Sequence, residues 1–155
     1  GIANSSLFFL VFALGIAVSR LTAGRSFDRH GPNRILTFCI SLLIAGFPLL
    51  AAVKNEAGFY FSAIIIGFGI GVVFPTYQTM VNNLSDAQHR GAANSTLYTA
   101  LDISMGLGMV ISGVIAERFS ISATFFVSSV LCVAGLFFFK RYVLGYYNER
   151  CQKVI

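Results

Sequence analysis

The chain has 155 residues, of which 56% are hydrophobic and only 11% are charged, and its mean hydropathy is +0.78. Soluble domains carry roughly 25% charged residues, so this composition excludes an ordinary water-soluble protein. The net charge of +5 is compatible with an anionic partner, but no connector interleaves basic with aromatic residues as nucleic-acid binding would require.

Five long apolar runs predict helices that cross a membrane, because about 20 apolar residues span the hydrocarbon core. Only the fourth run carries a charge in its interior, at Asp102. The predicted fold is therefore all-α, a polytopic transmembrane helix bundle forming one domain over residues 1–155. The predicted spans are approximately 1–19, 35–53, 57–81, 92–116 and 119–139, and a tail follows over 140–155.

The first connector, "RLTAGRSFDRHGPNR", combines glycines and charges in the pattern G-x-x-x-D-R-x-G-x-x-R. Gly24 permits close helix packing, and Gly31 permits a tight turn. Asp28 can cap a neighbouring helix N-terminus or pair with an arginine. The two remaining members of the pattern are Arg29 and Arg34.

The basic residues are distributed unevenly between alternate connectors. The first and third connectors and the tail carry nine of them, and the second and fourth connectors carry two. The positive-inside rule places the nine in the cytoplasm. We therefore expect a multi-pass protein of the plasma (inner) membrane with an external N-terminus and a cytoplasmic tail.

The third run contains the glycine-rich stretch "GFGIG", which is not a nucleotide-binding loop because no strand precedes it. Gly67 and Gly71 form a small-xxx-small pair that lets helix backbones approach closely. Phe74 and Gln78 share the same helical face, and Pro75 predicts a kink. Gln78 either lines a cavity or forms a hydrogen bond between helices; the pattern leaves both open.

The fourth run has one polar, flexible face and one branched aliphatic face. Tyr98, Asp102, Met105 and Met109 share the first face at 100° per residue. A carboxylate at the bilayer centre costs about 2.5–3.5 kcal/mol on insertion scales, so we expect Asp102 to face a protein interior or a hydrated cavity. Apolar surroundings favour the neutral carboxyl, which makes Asp102 a candidate proton-binding group. The alternatives are that Asp102 only bonds a neighbouring helix and that the methionines serve ordinary packing.

The connector pattern resembles the signature cytoplasmic loop of the major facilitator superfamily, which joins the second and third helices of each six-helix half. The stretch "FPTYQTMVNNLSDAQHRGAANSTLYTALDISMGLG" also resembles the tenth and eleventh helices of its drug or metabolite exporters. The resemblance implies helices eight to twelve of a twelve-helix transporter, with the first connector as a conformational-switch loop. It also implies a missing N-terminal half or a partner chain, and the start at Gly1 agrees with a fragment or a processed start.

The resemblance implies a secondary transporter that works by alternating access, and the polar face favours proton-coupled export of small amphipathic molecules or drugs. The expected energy source is the proton gradient, without a cofactor, and the expected partners are the bilayer and a small-molecule substrate. An uptake carrier for a sugar, nucleoside or organic acid remains an alternative, as does a non-transporting sensor or scaffold. Asp102 is the proton-coupling candidate, and the substrate-cavity candidates are Tyr98, Met105, Met109, Gln78 and Phe74.

An intramembrane enzyme is not expected. Aspartyl proteases need two facing carboxylates, and only Asp102 lies inside a span. A serine protease would want a histidine at membrane depth, but His30 and His89 lie in connectors. The three cysteines are scattered and indicate neither a disulfide framework nor a metal site.

Overall fold

A computed structural model describes residues 5–53 and 55–152, with side chains described for all of these except residues 5, 22–30, 148 and 150–152. Every regular element in these ranges is a helix, which confirms the predicted all-α bundle. The elements are α1 (Ser5–Ala52), α2 (Glu56–Leu84), α3 (Arg90–Arg118), α4 (Ile121–Phe138), a π-helical turn (Phe139–Val143) and α5 (Leu144–Gln152).

Four helical segments of the described chain are long and apolar enough to cross a membrane: Gly31–Ala52, Glu56–Leu84, Arg90–Arg118 and Ile121–Tyr147. The first predicted span corresponds to a shorter apolar helix, Ser6–Leu21. The tail predicted to follow residue 139 continues the last helix through the π turn into α5. The last candidate segment ends at Tyr147, and the boundary predicted at residue 139 stays a prediction.

The first connector is helical on both sides of Gly31, which is the one described residue with a positive φ. Its φ of 71° and ψ of 166° lie in a region that is essentially restricted to glycine. Pro32 follows directly, and proline fits the first position of a new helix because its missing N–H has no helical partner there. Gly31 therefore divides α1 into an N-terminal arm (residues 5–30) and a C-terminal arm (residues 32–52).

The two arms of α1 run in opposite directions along α2. In the N-terminal arm, Phe8 stacks on Phe59 with ring centroids 4.4 Å apart, and Ile16 lies further along α2 at Gly71, so this arm is parallel to α2. In the C-terminal arm, Leu43 lies at Gly69, while Gly46 lies earlier along α2 at Ile66. Gly31 is therefore the tip of a helical hairpin that holds α2 between its arms.

Glycines make this close packing possible. A Cβ on Gly67 would collide with the carbonyl oxygen of Phe12, and a Cβ on Gly71 would collide with Ser19 Oγ. A Cβ on Gly69, on the other side of α2, would lie 2.7 Å from Leu43 Cδ2. The close helix approach predicted from Gly67 and Gly71 is confirmed.

The bundle has two distinguishable ends. At the end that carries Gly31, a buried cluster joins α1, α2, the π turn and α5 through Leu36, Ile40, Met80, Phe139 and Tyr147. At the other end, the Ser122 hydroxyl of α4 donates to the carbonyl oxygen of Ala51, 3.3 Å away. We call these the Gly31 end and the Ala51 end.

Replacing Gly31 by alanine is expected to lower the free energy of unfolding by about 1–3 kcal/mol, because alanine does not readily adopt this backbone conformation. The loss would arise from the backbone alone, since a Cβ at Gly31 meets no atom within 4 Å. The measurement is unfolding in detergent, followed by circular dichroism.

The matched control is Gly135→Ala in α4, where a Cβ also meets no atom within 4 Å but the backbone is helical. This variant should be as stable as the wild type or more stable by up to about 1 kcal/mol, because alanine favours helices. Equal stability of the two variants would contradict the assigned role of Gly31.

Candidate functional site

Three of the predicted cavity residues meet between α2 and α3. The Gln78 Nε2 donates a hydrogen bond to the Tyr98 hydroxyl at 3.3 Å. The ring of Tyr98 also packs on Phe74, with centroids 5.6 Å apart. Phe74 and Gln78 are four residues apart and therefore share one face of α2, which is why one tyrosine contacts both. The hydrogen bond shows that Gln78 links the two helices, one of the two roles that the sequence left open.

A second polar contact joins the same two helices one turn closer to the Gly31 end. The Asn94 Nδ2 of α3 donates to Asn82 Oδ1 of α2 at 2.7 Å. The two helices are therefore antiparallel here: four residues towards the N-terminus of α2 correspond to four residues towards the C-terminus of α3. Asp102 follows Tyr98 by one turn of α3, and Phe74 precedes Gln78 by one turn of α2.

Asn94 is not among the candidate residues predicted from the sequence. The available signal was the spacing of Asn94, Tyr98 and Asp102, which places three polar side chains on one face of α3 at intervals of four residues. A third asparagine, Asn83, donates instead to the Tyr147 hydroxyl at 3.2 Å and joins α2 to α5.

The remaining candidates lie on an open stretch of α3. Met105 and Met109 are about 10 Å and about 16 Å beyond Tyr98 along the helix axis. None of the residues of α3 is buried within the described chain. Met109 on the predicted inner face is 68% exposed and Val110 on the predicted lipid face is 67% exposed, so exposure does not distinguish the two faces. The inward orientation of Asp102 stays a prediction.

The predicted switch loop is described only in part. Gly31 forms the tip of the α1 hairpin, and Arg34 is exposed in the first turns of the C-terminal arm. The side chains of Asp28 and Arg29, and the surroundings of Gly24, lie outside what the structure describes. Their charge network therefore stays a prediction.

Pro75 lies inside α2, and the helix continues through it without an interruption. The Thr79 hydroxyl, one turn later, donates to the carbonyl oxygen of Pro75 at 2.9 Å. Because proline has no N–H, the Gly71 carbonyl loses its usual helical partner at the level of Phe74. The kink predicted at Pro75 stays a prediction.

A cavity of about 730 Å³ lies at the Ala51 end, away from the Gln78–Tyr98 contact. Its walls come from α1, α2 and the start of α4, and Glu56 is the one charged residue in the described lining. None of the predicted substrate-cavity residues lines it. Its aromatic wall consists of Phe8, Phe9, Phe12, Phe47, Phe59 and Phe125.

The described residues contain no group of three or more His, Cys, Asp or Glu side chains that could hold a metal ion. The described cysteines, Cys39 and Cys132, are free thiols in different helices. The contacts between α2 and α3 bring together one phenol, three amides and aromatic surfaces, and the Asp102 carboxyl follows Tyr98 by one turn of α3.

Comparison with known proteins shows which family the chain belongs to. The profile of the Major Facilitator Superfamily matches residues 2–149. An uncharacterised MFS-type transporter of Pseudomonas aeruginosa (strain UCBPP-PA14) is 29% identical over 136 residues, which cover 88% of this chain and 34% of that protein. An uncharacterised MFS-type transporter of Burkholderia mallei (strain SAVP1) is 28% identical over 135 residues, which cover 86% of this chain and 33% of that protein. The chain spans about a third of the length of the curated relatives it matches.

The Gln78–Tyr98 contact is testable by a double-mutant cycle that combines Gln78→Leu with Tyr98→Phe. Phenylalanine keeps the ring that packs on Phe74 and removes only the hydroxyl. Because hydrogen bonds between membrane helices contribute about 0.6 kcal/mol on average, we expect a coupling energy of about 0.5–1 kcal/mol in detergent unfolding.

The control cycle combines Tyr98→Phe with Asn83→Leu, whose amide bonds Tyr147 on a different helix. These two changes should be additive within about 0.5 kcal/mol. Additivity in the Gln78–Tyr98 cycle would show that the contact does not stabilise the helix pair.

Proposed function

Because the chain belongs to the Major Facilitator Superfamily, a family of membrane transporters, we propose that it forms part of a proton-coupled exporter of small amphipathic molecules. The observation that carries the proposal is the position of Asp102 one helical turn from the Gln78–Tyr98 contact. If Asp102 faces α2, a group that binds a proton lies beside aromatic and amide groups that bind a substrate, which is the arrangement that the proposal requires.

Asp102 is the proposed proton-binding residue. It lies about 18 Å along the axis from Arg90 at one end of α3 and about 24 Å from Arg118 at the other. Ionisable residues inside membrane spans are costly, and in transporters they mark proton relays and substrate pathways. Asp102 would be neutral with a proton bound and charged after releasing it, so substrate and proton can use the site alternately.

The neighbouring side chains suit an amphipathic substrate. The rings of Phe74 and Tyr98 offer flat apolar surfaces, and Met105 and Met109 adapt their shape to different ligands. Gln78 adds an amide that can bind a polar group of the substrate. Adaptable apolar contacts with few polar anchors favour a range of related molecules over one substrate.

Further protein segments would complete the site. The curated relatives are about three times as long as the matched region, and α3 buries no residue within the described chain. Both observations support a partner for α3, either an N-terminal half of the transporter or a second chain. Alternating access would then move this helix group against that partner, with the bilayer around both.

The distribution of charge supports an orientation in the inner membrane. Nine basic residues belong to the connectors and tail at the Gly31 end, and two belong to the connectors at the Ala51 end. By the positive-inside rule, the Gly31 end and α5 face the cytoplasm.

The test is Asp102→Asn in the full-length protein, assayed in everted membrane vesicles with ethidium as the amphipathic probe. Asparagine keeps the size of the side chain but cannot bind and release a proton. We expect at least a tenfold loss of ethidium accumulation driven by a pH gradient, with unchanged membrane insertion.

Glu117→Gln is the matched control, because Glu117 is the other acidic residue of α3 and lies at its end. This variant should accumulate ethidium like the wild type. Unchanged proton-driven accumulation in Asp102→Asn would contradict the assignment. Ethidium-dependent proton flux of the opposite sign would identify an uptake carrier, and binding without accumulation would identify a sensor.

A further inference from the structure

Polar side chains extend between α2 and α3 from the Gly31 end to the level of Asp102. Asn94 bonds Asn82 at 2.7 Å, and one turn further Tyr98 accepts from Gln78 at 3.3 Å. Asp102 follows after another turn of α3. We call these five residues the polar ladder; it rises about 12 Å along α3 from Asn94 to Asp102.

The ladder begins at an exposed connector. Two ionisable residues, Asp86 and His89, lie between α2 and α3, and Arg90 is the first residue of α3. All three are exposed. The amide of Asn94 also bonds the carbonyl oxygen of Arg90 at 3.0 Å, so the first rung is attached directly to the start of α3. A path through the ladder would therefore start where water reaches the protein.

One polar atom in the ladder is buried without a hydrogen-bond partner among the described residues. Asn94 Oδ1 is buried and accepts no hydrogen bond from the described residues. An unpaired buried acceptor costs about 1–3 kcal/mol, and most buried polar groups in proteins are satisfied either by a protein partner or by ordered water. The amide nitrogen of Asn94 is already engaged with Asn82 and Arg90, so its oxygen points to a site for a water molecule.

We propose that the polar ladder is a hydrated path that carries protons between the α2–α3 connector and Asp102; this inference rests on the proposed proton-binding role of Asp102. The amides of Asn82, Asn94 and Gln78 do not transfer protons but hold water molecules in place. Each water, and the Tyr98 hydroxyl, accepts one proton and releases another to the next group. The Asp102 carboxylate accepts the last proton, and release follows the same steps in reverse.

The two helices that contact α3, α2 and α4, carry four ionisable side chains. Within two turns of Asp102 on α3 itself, Tyr98 is the one ionisable neighbour. On α2, Glu56 and Tyr60 lie in the first two turns at the Ala51 end, and Tyr77 packs against the buried cluster at the Gly31 end. On α4, the Cys132 thiol packs against that same cluster.

The test measures how fast the Asp102 carboxyl exchanges its proton. The whole chain is reconstituted in lipid nanodiscs, and the buffer is changed from H2O to D2O while the infrared band of the protonated carboxyl is recorded. The difference between wild type and Asp102→Asn assigns the band. The double variant Asn82→Leu/Asn94→Leu should slow the exchange at least tenfold, because it removes the first rung and its water site.

Asn83→Leu is the matched control, since Asn83 has the same chemistry and depth but bonds Tyr147 outside the ladder. It should exchange at the wild-type rate. Tyr98→Phe keeps the ring contact with Phe74 and removes the hydroxyl, so it should slow the exchange several-fold. If the double variant does not fold, as judged by circular dichroism, Tyr98→Phe decides the question.

The possible results separate a failure of the ladder from a failure of the proposed function. An Asp102 band whose exchange rate is unchanged in the double variant or in Tyr98→Phe would overturn the ladder and leave the proposed proton binding intact. Equal slowing by Asn83→Leu would also overturn it, because the effect would then be general. Absence of any band that depends on Asp102 across the pH range of folding would overturn both the ladder and the proposed function.

Discussion

The position of α2 between the two arms of α1 depends on close backbone contact at glycines. Gly67 and Gly71 admit the N-terminal arm, and Gly69 on the other side admits the C-terminal arm. In hydrocarbon there is no hydrophobic driving force between helices, so van der Waals contact at small residues has to stabilise their association. The hairpin tip at Gly31 serves the same arrangement, because it lets one helical segment contact both sides of α2.

The candidate site follows from that arrangement, but different forces hold its two walls. α2 is fixed by close packing, whereas α3 buries no residue and is joined to α2 through side-chain contacts, including Asn82–Asn94 and Gln78–Tyr98. Such contacts contribute little energy each and are directional. Within the described residues, α2 is therefore packed more closely against α1 than against α3.

The helices and their apolar faces could be predicted from the sequence, because hydrocarbon leaves long apolar helices as the available way to cross the membrane. The period of each helix also predicts that Phe74 and Gln78 share one face of α2 and that Asn94 and Tyr98 share one face of α3. The Gln78–Tyr98 and Asn82–Asn94 pairings themselves depend on the register between the two helices, which the period of a single helix cannot supply. The glycines and charges of the first connector predicted a loop, yet Gly31 is the one residue of the described connector that leaves the helical conformation, and the chain reverses there.

The central claim is that glycine contacts along α2 hold the bundle together, and the most direct measurement is the thermal unfolding of Gly67→Leu in detergent. A side chain at this position collides with the backbone of Phe12, so the account predicts destabilisation of about 1–3 kcal/mol or more. Gly135→Leu, where a Cβ meets no atom within 4 Å and the backbone is helical, should be at least as stable as the wild type. A Gly67→Leu variant with wild-type stability would contradict the account.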